Sequence, residues 1–369
     1  MTKNNPFTYY AQTMPGVEEI AWLEIRQRLN DVTFREYLFA KEQNGIVLFD
    51  YNGSPEKLLK LRSTEDVFLE AVNNPKVSRG REDLQRINAL VYKSESFGRA
   101  ANNFLRFRKF SHPPTFRVVS RKYGQHQYRR KDFELAVLHG IQARYPRWKP
   151  VADNAQVEVW ANLLGSHLLI GFRISDRTMR HRYKKRVELP ASLRPSMAAA
   201  MVFLTEPEAS DIFLDPMCGS GTILLERLYS GPSQQILAGD VESDRVYAAR
   251  QNMPSPRQGS KKRSVSIRQW DARQLPLEDA AIDKVATNLP FGKQIGTRQE
   301  LDSLYTAVLA ELERVVRPNG RIVLLSSEFD LVKSCIRGRP YLHIVTGYSV
   351  AILGRWGRIH IIERKSTDN

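Results

Sequence analysis

The sequence predicts an α/β chain: a doubly wound parallel sheet with an antiparallel edge hairpin, preceded by a smaller α+β region. Three observations carry that reading. Apolar runs of strand length alternate with helix-length periodic segments from Ser196 onward. A glycine-rich turn, Asp215-Pro216-Met217-Cys218-Gly219-Ser220-Gly221-Thr222, separates one of those strands from the helix that follows it. A strongly basic stretch lies upstream of the alternation.

In the alternating part, strands are expected at 212–214, 236–240, 265–270, 284–288 and 322–326, with a closing pair near 341–352 and 358–364. Helices are expected at 222–229, 245–252 and 301–316. Strands joined through helices run parallel, and right-handed crossovers place helices on both faces of the sheet. Ser196-Met197-Ala198-Ala199-Ala200-Met201 opens this part with strong helix formers, and 190–195 reads as a linker. The polar, basic stretch 254–263 reads as a mobile surface loop.

Upstream, a strand at 9–12, a Pro15-Gly16 turn and an amphipathic stretch at 17–29 precede a strand at 45–49 and a helix start at 55–61. His112-Pro113-Pro114 breaks the chain. A strand at 115–121, a helix at 132–144 and a strand pair, 156–163 and 167–172 about Gly165, follow. Three domains are therefore expected, 1–105, 106–188 and 189–369, which suits a chain of 369 residues.

The net charge of +16 implies a polyanionic partner, with nucleic acid the first choice and an anionic membrane surface the second. Most of the excess lies between Ala101 and Ala200, with roughly 20 Lys and Arg against about 6 Asp and Glu. Candidate RNA contacts are Arg121, Lys122, Arg129, Arg130, Lys131, Arg180, Arg182, Lys184, Lys185, Arg186 and Arg194, interleaved with Tyr123, Tyr128 and Tyr183. No apolar run approaches the ~20 residues that span a bilayer, and Met1-Thr2-Lys3-Asn4-Asn5-Pro6 lacks the apolar core of a signal peptide. Cys218 and Cys335 are the sole cysteines, too few for a disulfide framework or a four-cysteine zinc site. The histidines lack metal-ligand spacing, so no metal is expected, and a reducing cytoplasmic setting is. Nothing in the sequence points to an obligate oligomer, so a monomer is expected.

Chemistry concentrates at the glycine turn. Gly219 and Gly221 let backbone approach a ligand closely, and Asp215 at the strand end can meet a cationic group. A dinucleotide fingerprint needs a third glycine where Leu224 stands, so the ligand expected is S-adenosylmethionine, whose ammonium and sulfonium favour a carboxylate. Asp240, at the next strand end, is placed for ribose hydroxyls. Asp271, one strand further, is placed for an adenine amino group, with the Ala272 amide beside it. Pro216, Cys218 and Thr222 complete the expected cofactor contacts, with Asn288 approaching from the other segment.

That second segment is Asn288-Leu289-Pro290-Phe291-Gly292. Methylating an exocyclic base amine requires acceptors that hold the NH₂ group and stabilise its developing charge. The Asn288 side-chain carbonyl and the Leu289 backbone carbonyl, fixed by Pro290, are suited to this, and Phe291 can stack on the base.

Together the two segments resemble the cofactor and target-base motifs of class I S-adenosylmethionine-dependent methyltransferases acting on exocyclic amines. The form Leu-Pro-Phe-Gly, followed by Lys293-Gln294-Ile295-Gly296 and Leu304-Tyr305, resembles the THUMP-containing tRNA guanine-N2 methyltransferases. So do Phe116-Arg117-Val118, Gly124-Gln125-His126, His181-Arg182-Tyr183 and Leu193-Arg194-Pro195-Ser196-Met197-Ala198. The resemblance covers about residues 100 to 330. Met217 departs from it, since many relatives carry Phe there. It implies a Rossmann-like methyltransferase domain behind a ferredoxin-like and THUMP RNA-binding region. It also implies methylation of guanine N2, at position six of the tRNA acceptor stem in the closest family members. The alternatives are guanine N2 in ribosomal RNA, adenine N6 in DNA, or RNA binding without catalysis.

Overall fold

The structure is a computed structural model and describes residues 7–39, 45–190, 192–254, 264–291, 297–352 and 354–366. The expected loop at 254–263 lies, after Pro254, outside the described residues. The chain divides into two compact units, Met1–Thr13 with Trp22–Arg180 and Met14–Ala21 with His181–Asn369.

Up to Arg180 the strands are β1 (Phe7–Gln12), β2 (Val32–Leu38), β3 (Ile46–Tyr51), β4 (Asp66–Asn74), β5 (Thr115–Tyr123), β6 (Lys149–Pro150), β7 (Val157–Leu164) and β8 (His167–Arg173). The helices are α1 (Glu18–Arg28), α2 (Pro55–Leu58), α3 (Asp83–Lys93), α4 (Glu95–Arg108), α5 (Arg130–Arg144) and α6 (Arg177–Arg180). All eight strands share one sheet, ordered β2-β3-β1-β4-β8-β7-β5-β6. The antiparallel pairing of β4 with β8 carries the sheet across the middle of the unit. The expected boundary near residue 105 falls within α4.

Six of these elements, β2, β4, α3, α4 and the short β6 and α6, have no counterpart in the sequence reading. In β4 the reason is electrostatic. Asp66, Glu70, Asn73 and Asn74 depress its strand propensity, yet Asp66 is fully buried. Arg173 Nε and Arg180 Nη2 donate to its two oxygens at 2.8 and 2.6 Å, which removes the penalty for a buried charge.

The second unit holds α7 (Pro195–Leu204), β9 (Ile212–Asp215), α8 (Thr222–Ser230), β10 (Gln235–Asp240), α9 (Ser243–Asn252), β11 (Ser264–Gln269), β12 (Ile282–Asn288), α10 (Arg298–Val315), β13 (Val316–Ser326), α11 (Phe329–Arg337), β14 (Leu342–Ile352) and β15 (Arg355–Arg364). Its seven-stranded sheet runs β11-β10-β9-β12-β13-β15-β14. The first five are parallel, and β15 and β14 close the edge antiparallel. This is the doubly wound sheet with an edge hairpin that the sequence predicts; α11 is an addition. One face buries Met197, Met201, Ile223, Leu224 and Val246 from α7, α8 and α9. The other buries Leu301, Tyr305, Leu309 and Val332 from α10 and α11. The apolar spacing of α10 puts Leu301, Tyr305, Val308 and Leu312 on one stripe. Its start is fixed by a Thr297–Glu300 capping box, with amide-to-side-chain bonds of 2.7 and 3.2 Å.

Arg227 on α8 is fully buried. Its guanidinium donates to the carbonyls of Glu208 at 2.8 Å and Pro232 at 3.2 Å, and lies 3.5 Å from the Asp211 carboxylate. It thereby ties the approach to β9 to the exit of α8, the two flanks of the glycine turn. Replacing Arg227 by Met leaves Asp211 and these carbonyls without their donor. Urea unfolding should show a loss of about 3–5 kcal/mol; a variant within about 0.5 kcal/mol of the parent refutes this role.

Candidate active site

The sheet order of the second unit reverses between β9 and β12, and the carboxyl ends of β9, β10 and β12 border a cavity of about 770 Å³. Ligands of open α/β sheets bind at this position. The glycine turn forms its floor. Gly219 and Gly221 have φ of 50° and 80°, the left-handed region that side chains disfavour. A Cβ on Gly219 would have no heavy atom within 4 Å, so bare backbone faces open space there. On Gly221 it would press to 3.2 Å from Met253 Cε.

The turn is strapped to the neighbouring strands. Gly219 N donates to Asp240 Oδ2 at 3.0 Å, Cys218 N to the Gly239 carbonyl at 2.9 Å, and Trp270 Nε1 to the Pro216 carbonyl at 3.0 Å. Burial pushes the Cys218 thiol up, so it is a packing group rather than a nucleophile.

The strand-end acids differ sharply from one another. Asp215 is buried, and its Oδ1 accepts from the Met217 amide at 3.3 Å while Oδ2 has no partner. Burial raises its carboxyl from the ordinary 3.8 to about 7. Asp240, expected to serve a ribose, lines the cavity with a largely buried carboxylate. Glu242 N donates to Oδ1 at 3.2 Å, and Gly219 N occupies Oδ2. A second acid on the cavity wall here is Glu242, which is exposed and follows the exposed Val241. The sequence reading missed both; the signal was an apolar-acidic pair just past the strand end. Asp271 lies on the cavity wall with Ala272, but Arg273 forms a close pair with it at 2.6 Å, which with their hydrogen bonds holds its carboxyl below the usual range.

Asn288 ends β12 on the cavity wall, and its Oδ1 is buried with no hydrogen-bond partner. Leu289 is buried and donates its amide to the Leu325 carbonyl at 3.0 Å. Pro290 lines the cavity while its carbonyl accepts from Tyr305 Oη at 3.1 Å. Tyr305 Oη is also 2.8 Å from Ser326 Oγ. Phe291 is partly buried against the apolar core and is not part of the cavity wall. Gly292 and the four residues after it lie outside the described residues.

The residues fit S-adenosylmethionine. Asp215 Oδ2 is an unpaired acceptor for a cation, Glu242 a carboxylate for ribose hydroxyls, and Val241 an apolar surface for a purine. The bare backbone at Gly219 leaves room for the chain between them.

The basic residues divide into two groups. Arg129, Arg130, Lys131, Lys184, Arg186 and Arg194 are exposed. Lys122 is partly buried and donates to the Gly124 carbonyl. Several residues of both groups have partners within the fold: Arg130 donates to the Ser120 carbonyl at 3.3 Å and Lys131 pairs with Glu134 at 2.5 Å. Arg121 lies over the Trp160 ring at 4.6 Å, Arg180 pairs with Asp66, and Arg182 pairs with the fully buried Glu226 at 3.1 Å. Lys185 Nζ donates to Ser220 Oγ and Thr222 Oγ1 at 3.0 and 2.7 Å. Among the described residues no cluster of three or more His, Cys, Asp or Glu could hold a metal, and no helix is long and apolar enough to cross a membrane.

The raised Asp215 carboxyl makes stability pH-dependent. Between its unfolded value near 3.8 and its folded value of about 7, the folded chain binds more protons, so stability falls as pH rises through that window. Asp215→Asn removes this. Its unfolding free energy relative to the parent should increase from pH 5 to pH 8 by on the order of 2 kcal/mol. A difference that does not change with pH contradicts the assignment.

Residues 182–356 match the UPF0020 family, described as an RMKL-like methyltransferase domain. Among curated proteins, the tRNA (guanine(6)-N(2))-methyltransferase THUMP3 of Bos taurus is 30% identical over 62% of this chain and 46% of its own length. The U6 snRNA (guanine-N(2))-methyltransferase THUMPD2 of Bos taurus is 32% identical over 49% of this chain and 34% of its own. The chain thus spans half or less of the length of these relatives. Among solved structures, TrmN from Thermus thermophilus shares the fold with a TM-score of 0.76 and 23% identity, over 97% of this chain and 99% of that one. Fold, strand-end site and sequence agree in likening residues 182–356 to the UPF0020 methyltransferase domain.

Proposed function

We propose that this chain transfers a methyl group from S-adenosylmethionine to the exocyclic N2 of a guanine in RNA, with position six of tRNA as the first candidate. The observation that carries this reading is the unpaired, buried Asn288 Oδ1 on the wall of the cofactor cavity. Natural proteins rarely leave such an acceptor empty, and a base amine supplies the donor it lacks. The relatives named for guanine-N2 methylation support the choice of amine.

When bound, S-adenosylmethionine supplies an electrophilic methyl group on a sulfonium. Asp215 and Glu242 hold its cationic and ribose ends. Asn288 Oδ1 and the Leu289 carbonyl accept the two N–H bonds of the amine, concentrating electron density on a nitrogen otherwise delocalised into the ring. Tyr305 takes up the Pro290 carbonyl and fixes the turn. The base must leave its helix to reach the site. No general base is needed before transfer, because the amine becomes strongly acidic only as the new bond forms. Arg129, Arg130, Lys131, Lys184, Arg186 and Arg194 meet RNA phosphates. The setting we propose is the cytoplasm, with the chain acting as a monomer.

Methyl transfer to unmodified tRNA transcripts, followed by nucleoside mapping, tests the reading. N2-methylguanosine at position six is expected. Product only in another RNA moves the substrate and keeps the chemistry. Absence of S-adenosylmethionine binding by calorimetry overturns the enzyme reading. Asn288→Ala should lower kcat by about 10²–10³-fold with cofactor affinity nearly unchanged. Tyr305→Phe should lower kcat by about tenfold through a looser turn. Parent-like rates in Asn288→Ala defeat the role of that acceptor.

A further inference from the structure

Lys185 falls in the basic run that the sequence reads as RNA-binding, but its geometry points elsewhere. Its partly buried ammonium donates to both Ser220 Oγ and Thr222 Oγ1, the hydroxyls flanking Gly221 in the glycine turn. Burial, opposed by Glu188, lowers its affinity for a proton, as for a cation held inside a fold rather than offered to phosphate.

A second residue makes the same connection from the other side. Asn252, the last residue of α9, accepts from the amides of Arg186 and Val187 at 2.8 and 3.1 Å. Its Nδ2 donates to the Val187 carbonyl at 2.9 Å and the Ser220 carbonyl at 3.0 Å. Ser192 Oγ closes the loop at 3.0 Å from Ser220 Oγ. The segment between these anchors supplies Leu189, Pro190, Ser192 and Leu193 to the cavity wall. Its described residues form no helix or strand, so no ladder of their own fixes their position. Side-chain bonds from Lys185, Asn252 and Ser192 hold it against the turn.

We propose that Lys185 and Asn252 are positioning residues that fasten the 185–193 segment to the glycine turn and so shape the cofactor cavity, and that Lys185 is not an RNA contact. The inference rests on the reading of the cavity as the S-adenosylmethionine site. A Lys→Met change at 185 keeps the stem and removes the donors. Without them, the segment loses its hold on the turn, and the ligand must order it at the moment of binding.

Calorimetric titration of the full chain with S-adenosylmethionine, beside filter binding to tRNA over a salt series, tests this. Lys185→Met should weaken S-adenosylmethionine by about tenfold and leave tRNA affinity within about twofold and its salt slope unchanged. Lys185→Arg, which keeps two donors, should recover cofactor affinity to within about threefold. Lys184→Met, at the exposed neighbour, should do the reverse, weakening tRNA and reducing the salt slope by about 1 with cofactor affinity unchanged. Asn252→Ser should weaken the cofactor as Lys185→Met does, and it carries the test if Lys185→Met does not fold. Parent-like cofactor affinity in both variants overturns the proposal, as does a tRNA loss with cofactor affinity intact in Lys185→Met. If the parent itself does not bind S-adenosylmethionine, the underlying reading of the cavity fails instead.

Discussion

The bond from the Gly219 amide to the Asp240 carboxylate joins two adjacent strand ends, and the layout of the site follows from it. A carboxylate buried to this degree must be satisfied. Two backbone amides, Gly219 and Glu242, do so from opposite sides. The first fixes the glycine turn over the end of β10, and the second bends the chain into α9. Gly239 contributes by being small: a Cβ there would lie 2.4 Å from the Trp270 ring, which crosses it to reach the Pro216 carbonyl. Asp240 lines the cavity as well as bracing the turn, and a second, exposed carboxylate stands two residues further on, at Glu242.

This fold is able to satisfy buried charge, which gives meaning to the places where it does not. Asp66 receives two guanidiniums, and the Arg227 guanidinium reaches backbone carbonyls on both flanks of the glycine turn. Asp215, at least as deeply buried as Asp240, receives no cation of the chain and keeps one oxygen unpaired. Among the described residues, Asp215 and Asn288 are the two that line the cavity and carry such an atom. One would accept from a cationic ligand and the other from a neutral amine. The proposed reaction, which brings a sulfonium compound and a base nitrogen together, calls for both kinds of acceptor.

The parts of the site fixed by local chemistry were legible in the sequence. A turn with two left-handed residues demands glycine, and a strand that ends on an acid announces itself. Thus Asp215, Gly219 and Asn288, all named from the sequence, lie on one cavity wall, with Gly221 in the turn beside them. What sequence spacing could not resolve was burial. Asp240 and Glu242 are two residues apart near one strand end, and only the fold decides which carboxylate is buried. Phe291 shows the same limit, since its ring is partly buried in the core beside the segment it belongs to. In the first unit, β4 escaped because its burial depends on Arg173 and Arg180, more than 100 residues away in the chain.

The basic run shows the same limit of spacing over a longer stretch. Counting charge locates an excess but not its destination. Arg182 lies against Glu226, Arg180 against Asp66, and Lys185 against two hydroxyls. Each internal ion pair removes one cation and one anion together from the surface, so the net charge of +16 is untouched by them. The positive excess must therefore still appear somewhere in solvent. It moves onto the cations that the fold leaves exposed, among them Arg129, Arg130 and Lys131 at the start of α5 and Lys184, Arg186 and Arg194 in the second unit. Exposed cations on irregular backbone or at a helix start meet phosphates without reading bases. For the proposed RNA substrate, this distribution suits recognition by shape, with base identity left to the acceptors around Asn288.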